Sequence, residues 1–291
     1  MTRLGRGHRS TLLSFLLPGL IYLVLIRYIP ALFTFYSGFT SWNLLEQKTP
    51  KFIGLANYSY IFSDGNFDAA LLRTVIFTIV ATSLELVLGL AVALFVNRDF
   101  RGKGLLRGVI ILPMIVTPAI VGVIWKILYS DVIGPINAGL AQIGLPTVGW
   151  LTNIHMAMVS VVIMDLWHWT PFVFLIVLSA LQTIPTELYD AAEVDGSTRW
   201  QRLRFVTLPF IRESLIVAAI LRSVQAFNLF DEPYVMTGGG PGQATETVSL
   251  YIYKYAFQFF QLGRSGAMII ISLLLLGLVY GLYLRFVDLE Q

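Results

Sequence analysis

The chain of 291 residues contains no cysteine. Disulfides, thiolate metal sites and a cysteine nucleophile are therefore excluded, and the redox compartment stays undetermined. Charge is also scarce: Asp, Glu, Lys and Arg make up 13% of the chain against 56% hydrophobic residues, whereas a soluble domain is nearer about a quarter charged. No large soluble core remains once the apolar runs are set aside, so the composition is that of an integral membrane protein. Nucleotide-hydrolysing signatures are missing too. Neither Gly102-Lys103-Gly104 nor Thr237-Gly-Gly-Gly-Pro-Gly242 supplies the Gly-Lys-Ser/Thr ending of a phosphate-binding loop. An intramembrane enzyme would need a nucleophile–base pair or metal-ligand spacing. Neither H-E-x-x-H nor G-x-S-x-G occurs, and Asp165 with His168 is the sole acid–base pair, with no serine or cysteine placed with it. No internal repeat or low-complexity tract is present. The mild positive balance does not point to nucleic acid, because its distribution along the chain is what informs.

What is abundant is apolar sequence. A helix needs about 20 apolar residues to cross a bilayer, and six runs reach that length: Leu12 to Phe35, Leu71 to Val96, Leu105 to Tyr129, Met156 to Leu181, Phe210 to Phe230 and Ala267 to Phe286. In lipid each must be helical to satisfy its own backbone. The expected fold is all-α: a polytopic membrane protein of six transmembrane helices forming one transmembrane domain over residues 1–291. Pro18, Pro30, Pro113, Pro118 and Pro171 lie in or near these runs and read as kinks rather than ends. Arg3, Arg6 and Arg9 precede a first run too long for a cleavable signal, and no small-residue cleavage site follows.

Basic residues set the orientation. Arg3, Arg6 and Arg9, then Arg98, Arg101, Lys103 and Arg107, then Arg199, Arg202, Arg204 and Arg212 fall on one side if the spans alternate. That side is cytoplasmic, and with an even number of spans both termini share it. The segment 185–209 is then cytoplasmic. Of the outer loops, Thr237 to Gly242 reads as the most flexible, its glycines being free to adopt positive φ.

The segment 185–209 is a charged insert between apolar runs. Pro185 and Thr186 suit a helix start, Asp195-Gly196 a break, and Thr198 with Gln201 a capping box opening a second short helix. Pro209 marks entry to the fifth run. Small Ala191 and Ala192 permit close approach of another surface, and Gly196 allows a sharp turn. Leu188 and Tyr189 offer apolar anchors, while Glu187, Asp190 and Glu193 can meet basic groups. Physics alone leaves two readings open, a solvated loop docked on its own chain and a docking surface for a partner.

Asp190-Ala191-Ala192, Gly196 after three residues, and Val206-Thr-Leu-Pro209 after nine more resemble the cytoplasmic loop of ABC importer permeases. That family's pattern is EAA, three residues, Gly, nine residues, I-x-L-P. Asp replaces Glu and Val replaces Ile. Trp167-His-Trp-Thr-Pro-Phe172 is similar to the W-x-x-T-P-F of sugar permeases. Arg222, Ala226-Phe227, Phe230-Asp231, Tyr234 and Thr237-Gly-Gly-Gly-Pro241 match the same family's R-x-x-x-A-F-x-x-F-D-x-x-Y-x-x-T-G-G-G-P. Phe52-Ile-Gly-Leu-Ala-Asn-Tyr58 resembles its first external loop. The resemblance is to the first permease subunit of carbohydrate importers of the maltose, trehalose and glycerol-phosphate type, without the extra spans and large external insertion of the maltose subunit. It implies a multi-pass protein of the cytoplasmic membrane that forms half of a solute path in contact with membrane lipid. The implied partners are a second homologous permease, two ATP-binding subunits and an extracytoplasmic solute-binding protein. The chain itself would bind no cofactor; ATP and Mg would be used by the partner subunits, docked on the elbow at Glu187, Leu188, Tyr189, Asp190, Ala191, Ala192 and Gly196. A glycerol-phosphate or phosphodiester importer of the same fold is the alternative within transport. An ion channel or secondary transporter would leave the elbow unexplained.

Charges inside a membrane are costly and face a bundle interior or a wet cavity. Arg222, Gln225, Asn228 and Asp231 recur every three residues along the fifth run, within one broad helical face. Asp165 and His168 stand one turn apart on the fourth run beside Trp167 and Trp169, and Glu85 lies in the second. These nine residues are the expected solute path. For Arg222 a second reading stays open, an ion pair with Glu85 or Asp165 that fastens helices. His168, lacking a metal cluster around it, also reads as a structural histidine. Trp42 and Trp125 read as interface residues.

Overall fold

The computed structural model describes residues 6–46 and 49–288, with side chains described for 14–46 and 49–281. Arg3 lies outside the described residues, as do the side chains of Arg6, Arg9, Leu12 and Phe286. The described chain is helical, with one isolated antiparallel bridge between Thr40 and Phe52. It divides into two compact units, one holding residues up to Gly65 together with those from Ile252 onward, the other spanning Asn66–Tyr251.

In the first unit, α1 (Arg6–Leu23) runs through a wide π turn (Val24–Tyr28) into α2 (Ile29–Ser37). Pro18 is accommodated inside α1. Pro30 falls in the first turn of α2, where a missing N–H is tolerated. Leu16, Leu20, Leu25, Ile29 and Leu32 all point outward, as lipid contact requires. Two further helices, α3 (Ala56–Phe62) and α14 (Leu262–Asp288), pack together and against α2. The α2 end is closed by Asn57, whose Nδ2 donates to Gly38 O (2.9 Å) and Thr40 O (2.8 Å). Gly38 also admits α14: a Cβ there would sit 3.1 Å from Ala267 N. The Arg264 guanidinium lies 3.7 Å over the Tyr60 ring.

The second unit holds, in chain order, α4 (Gly65–Val96), α5 (Lys103–Ile115), α6 (Pro118–Leu128), α7 (Pro135–Gln142), α8 (Met156–Leu181), α9 (Thr186–Val194), α10 (Arg199–Arg202), α11 (Leu208–Phe227), α12 (Asp231–Met236) and α13 (Val248–Tyr253). The central element is α8. One apolar cluster joins Ala93 and Val96 of α4, Val173, Phe174, Val177 and Leu181 of α8, and Ile211 and Ala218 of α11. A second joins Phe77 and Ala81 of α4, Val121 of α6, Val161 and Met164 of α8, and Ala226, Leu229 and Met236. Gly89 permits the contact between α4 and α8, since a Cβ there would lie 2.6 Å from Val173 Cγ1.

The count of spans departs from expectation. Among the described residues, four helical stretches are long and apolar enough to cross a membrane (Ser14–Ser37, Gly65–Val96, Met156–Leu181 and Leu262–Gly281), or five if the bent pair α5–α6 forms one span. The third run is not a kinked helix. It breaks at Val116-Thr117, both extended, and resumes at Pro118 at an angle of 99°. A residue before proline is pushed out of the α region, and here Thr117 follows an already terminated helix, so Pro118 opens the next helix rather than kinking one. Pro113 and Pro171, by contrast, remain inside helices. The fifth run forms α11, which carries Arg212, Glu213 and Arg222 within its twenty residues and stops at Phe227; it is not among the stretches apolar enough by themselves. The loop 237–242 is also less loose than its glycines imply. Gly238, Gly239 and Gly242 do take positive φ, but Thr245 Oγ1 donates to Gly240 O (2.9 Å) and Gly239 N to Thr237 Oγ1 (3.2 Å), knitting the turn closed.

Gly89→Leu is expected to lower the thermal midpoint of the purified protein by the equivalent of about 1–3 kcal/mol, the cost of overpacking. Gly108→Leu on α5, where an added Cβ meets nothing within 4 Å, is expected to leave it unchanged. Equal midpoints for the two variants in a thermal-shift assay would contradict the close packing of α4 on α8.

Candidate functional site

Three fully buried charges of the second unit meet at Arg222. Its guanidinium, 1% exposed, is gripped by Glu85 of α4 and Asp165 of α8, each 0% exposed. Nε lies 2.6 Å from Glu85 Oε2, and Nη2 donates to Asp165 Oδ2. The Trp169 ring covers the cation at 5.2 Å. Three long helices therefore meet at one ionic knot, and Arg222 pairs with both candidate carboxylates rather than either one. A planar, always charged guanidinium can serve two carboxylates at once, which a lysine ammonium does less well.

One turn along α8 from Asp165, His168 is also buried. Its Nε2 lies 3.1 Å from Val116 O at the α5–α6 break, and its Nδ1 lies 3.5 Å from Glu232 Oε1 on α12. Trp167 is 41% exposed and meets Trp125 edge-on at 5.8 Å, while Trp125 also packs on Tyr129.

The expected polar face of the fifth run divides in two. Arg222 turns inward, whereas Gln225 and Asn228 are exposed. Asn228 caps α11, so Asp231 is not on that helix; it opens α12 and is exposed. The three-residue spacing holds along the sequence but not along one helix. Sequence reasoning missed Glu232, 3% exposed, because it carried the α11 register past Asn228. The chain break at Asn228 turns the next residue inward in place of Asp231. The Val116 carbonyl was missed as well, since it acquires significance only where the helix ends.

The elbow forms as expected from its punctuation. α9 ends at Asp195, and Gly196 takes φ +71°, a conformation in which a side chain is strained. Thr198 and Gln201 form the reciprocal capping box of α10: Gln201 N donates to Thr198 Oγ1 (3.3 Å) and Thr198 N to Gln201 Oε1 (2.7 Å). Arg202 pairs with Glu193 at 3.1 Å and ties the two short helices together. Tyr189 turns toward its own chain. It packs on the α4–α8–α11 cluster, and its hydroxyl meets Thr207 Oγ1 at 3.0 Å. Glu187, Leu188, Asp190, Ala191 and Gly196 are exposed and Ala192 is half-buried. Leu188, Val194, Trp200 and Phe205 leave large apolar surface outward.

The family of binding-protein-dependent transport system inner membrane components matches residues 85–289, from the first carboxylate of the ionic knot to near the end of α14. The chain belongs to this family and is a permease component of an ABC importer. Among its relatives, the trehalose/maltose transport system permease protein MalF of Thermococcus litoralis is 37% identical over 274 residues, 94% of this chain and 91% of the relative. The trehalose transport system permease protein SugA of Mycobacterium tuberculosis is 33% identical over 96% of this chain and 88% of its own length. The sulfoquinovosyl glycerol transport system permease protein SmoG of Agrobacterium fabrum is 32% identical over 98% and 92%. The fold is similar to a chain in the crystal structure of a bacterial ABC transporter importing the acidic polysaccharide alginate, with TM-score 0.81 at 22% identity over 95% of this chain and 96% of that one.

Removing one partner of a buried ion pair strands the others, typically at about 3–5 kcal/mol. Arg222→Ala is therefore expected to cut the yield of folded protein sharply, while Gln225→Ala on the exposed face leaves it near wild type. Size-exclusion profiles of the two variants check this; equal monodisperse yields would remove the ionic knot as a structural element.

Proposed function

We propose that this chain is one of two permease subunits of an ATP-driven, binding-protein-dependent importer for a sugar or oligosaccharide. In this reading it spans the cytoplasmic membrane six times, with the bent α5–α6 pair and α11 completing the count and both termini cytoplasmic. α11 crosses in spite of its charges because Arg222 is paired inside the protein rather than exposed to lipid. The chain performs no chemistry itself. Two partner subunits bind and hydrolyse ATP with Mg, a second permease supplies the other half of the path, and an external binding protein delivers the solute.

The observation that carries this reading is the elbow. It is a rigid pair of short helices, braced by its own capping box and by Arg202–Glu193, yet it presents Leu188, Ala191, Val194 and Trp200 outward. A loop serving only its own chain would turn those groups in, as Tyr189 does. Small Ala191 at the exposed surface suits insertion into a partner's cleft. The sugar assignment is supported by the trehalose and maltose systems of the relatives and by the aromatic and amide groups near Arg222. Gln225, Asn228, Asp231 and Trp167 offer polar and aromatic surface of the kind that orients a hydroxyl-rich solute, with Arg222, Glu85, Asp165, His168 and Trp169 behind them.

Ala191→Arg is the sharpest test, because the side chain projects outward and leaves the fold of this chain undisturbed. The ATP-binding subunits are expected to be lost from the purified complex while the permease pair inserts normally. The wild-type complex should hydrolyse ATP faster when its binding protein carries a saccharide, and this chain alone should hydrolyse none. Full retention of the ATP-binding subunits by the Ala191→Arg variant would refute the coupling role, and stimulation by an amino acid instead of a saccharide would refute the solute class.

A further inference from the structure

The α5–α6 break leaves a helix end inside the second unit, and a helix end leaves carbonyls without intrahelical partners. In hydrocarbon such groups must be satisfied by the protein. Val116, the residue at the break, is extended, and its carbonyl faces His168 Nε2 at 3.1 Å. A carbonyl can only accept, so Nε2 carries the hydrogen and donates it. The ring is 1% exposed, and its position is fixed from several sides. Nδ1 faces Glu232 Oε1 at 3.5 Å, and the Trp169 ring lies 4.8 Å away. Glu232 belongs to α12, which packs along α6 so closely that a Cβ on Gly122 would lie 3.1 Å from Val235 Cβ. Asp165, one turn before His168 on the same helix, holds Arg222, and Trp169 covers the same guanidinium.

We propose that His168 is a positioning residue of the transport path: its Nε2–H to Val116 O helps set the angle between α5 and α6 and ties that angle to the Arg222 knot through α8. This rests on the permease reading above, in which groups of α8 and α11 border the path. Pro118 starts α6, but the local bonds at the break stay within one helix or the other: Val116 N donates to Pro113 O (3.2 Å) in α5, and Thr117 O accepts from Ile120 N (3.0 Å) and Val121 N (3.1 Å) in α6. α12 holds α6 along its length, with Gly122 against Val235 and Lys126 Nζ donating to Val235 O (3.1 Å); at the break itself, the side-chain bond from a neighbouring helix comes from His168. A histidine that was merely accommodated in the interior would leave the angle to packing alone.

The absence of cysteine makes the test direct. Leu112 on α5 and Ile127 on α6 are 58% and 52% exposed, and the pair Leu112→Cys with Ile127→Cys takes spin labels on either side of the break. Double electron–electron resonance then reads the distance across it in the reconstituted complex with its partner subunits. A single narrow distribution is expected with His168. His168→Leu is expected to broaden and shift it, with loss of saccharide uptake, and His168→Gln to restore both, since its amide N–H reaches the same carbonyl. His168→Asn, too short to reach, should behave as the Leu variant even where the Leu variant folds poorly. An unchanged narrow distribution in the Leu and Asn variants would overturn the proposal, as would failure of the Gln variant to restore it. Failure of the wild-type chain to retain ATP-binding subunits would instead strike the permease reading, and the label distances would still decide the role of His168.

Discussion

An arginine taken out of water must bring its counter-charges with it, and the second unit is arranged around that requirement. Arg222 is enclosed by Glu85, Asp165 and the face of Trp169. Each carboxylate comes from a different helix, so satisfying one cation fixes α4, α8 and α11 relative to one another at a single level. Apolar packing could press these helices together in many registers. A buried charge cannot slide along a helix without leaving a carboxylate unpaired. The apolar clusters on either side of the knot then fill the space that the ion pairs define.

The same arrangement separates what is structural from what faces outward. Once Arg222 is committed to two carboxylates, it is not available as a receptor for a solute. The exposed groups of the same neighbourhood are Gln225, Asn228, Asp231 and Trp167. At the other end of α11, the elbow is braced by local bonds and by Tyr189, which anchors it to the helix cluster beneath. Tyr189 thus connects the elbow to the helices that hold the knot.

Much of this was legible in the sequence, for reasons that differ by element. The capping box at Thr198 and the turn at Gly196 are local events, written in two or three residues, and both formed as read. The pairing of Arg222 with intramembrane carboxylates follows from the cost of an isolated charge. Three features were not legible. The third run breaks because Val116 and Thr117 leave the helix and Pro118 opens a new one, and hydropathy is blind to that. Arg212, Glu213 and Arg222 lower the hydropathy of α11, so it does not stand among the unambiguous spans. Asp231 was assigned to the helical face of Arg222, whereas the chain leaves that helix at Asn228 and turns Glu232 inward. Tyr189 was read as an anchor, and it is one, but toward its own chain. At Glu232 and Tyr189 a tertiary contact decided the orientation of a residue whose type alone was informative.

The central claim is that Glu85, Asp165 and Arg222 act as one ion-paired unit, and it is tested most directly by neutralising all three together. Thermal midpoints of Arg222→Met, of the Glu85→Gln and Asp165→Asn pair, and of the triple variant should be compared in detergent. The account predicts strong coupling, with the triple variant melting well above the value expected from adding the separate losses, because no charge is left stranded. Simple additivity, with the triple variant falling by the full sum, would contradict it.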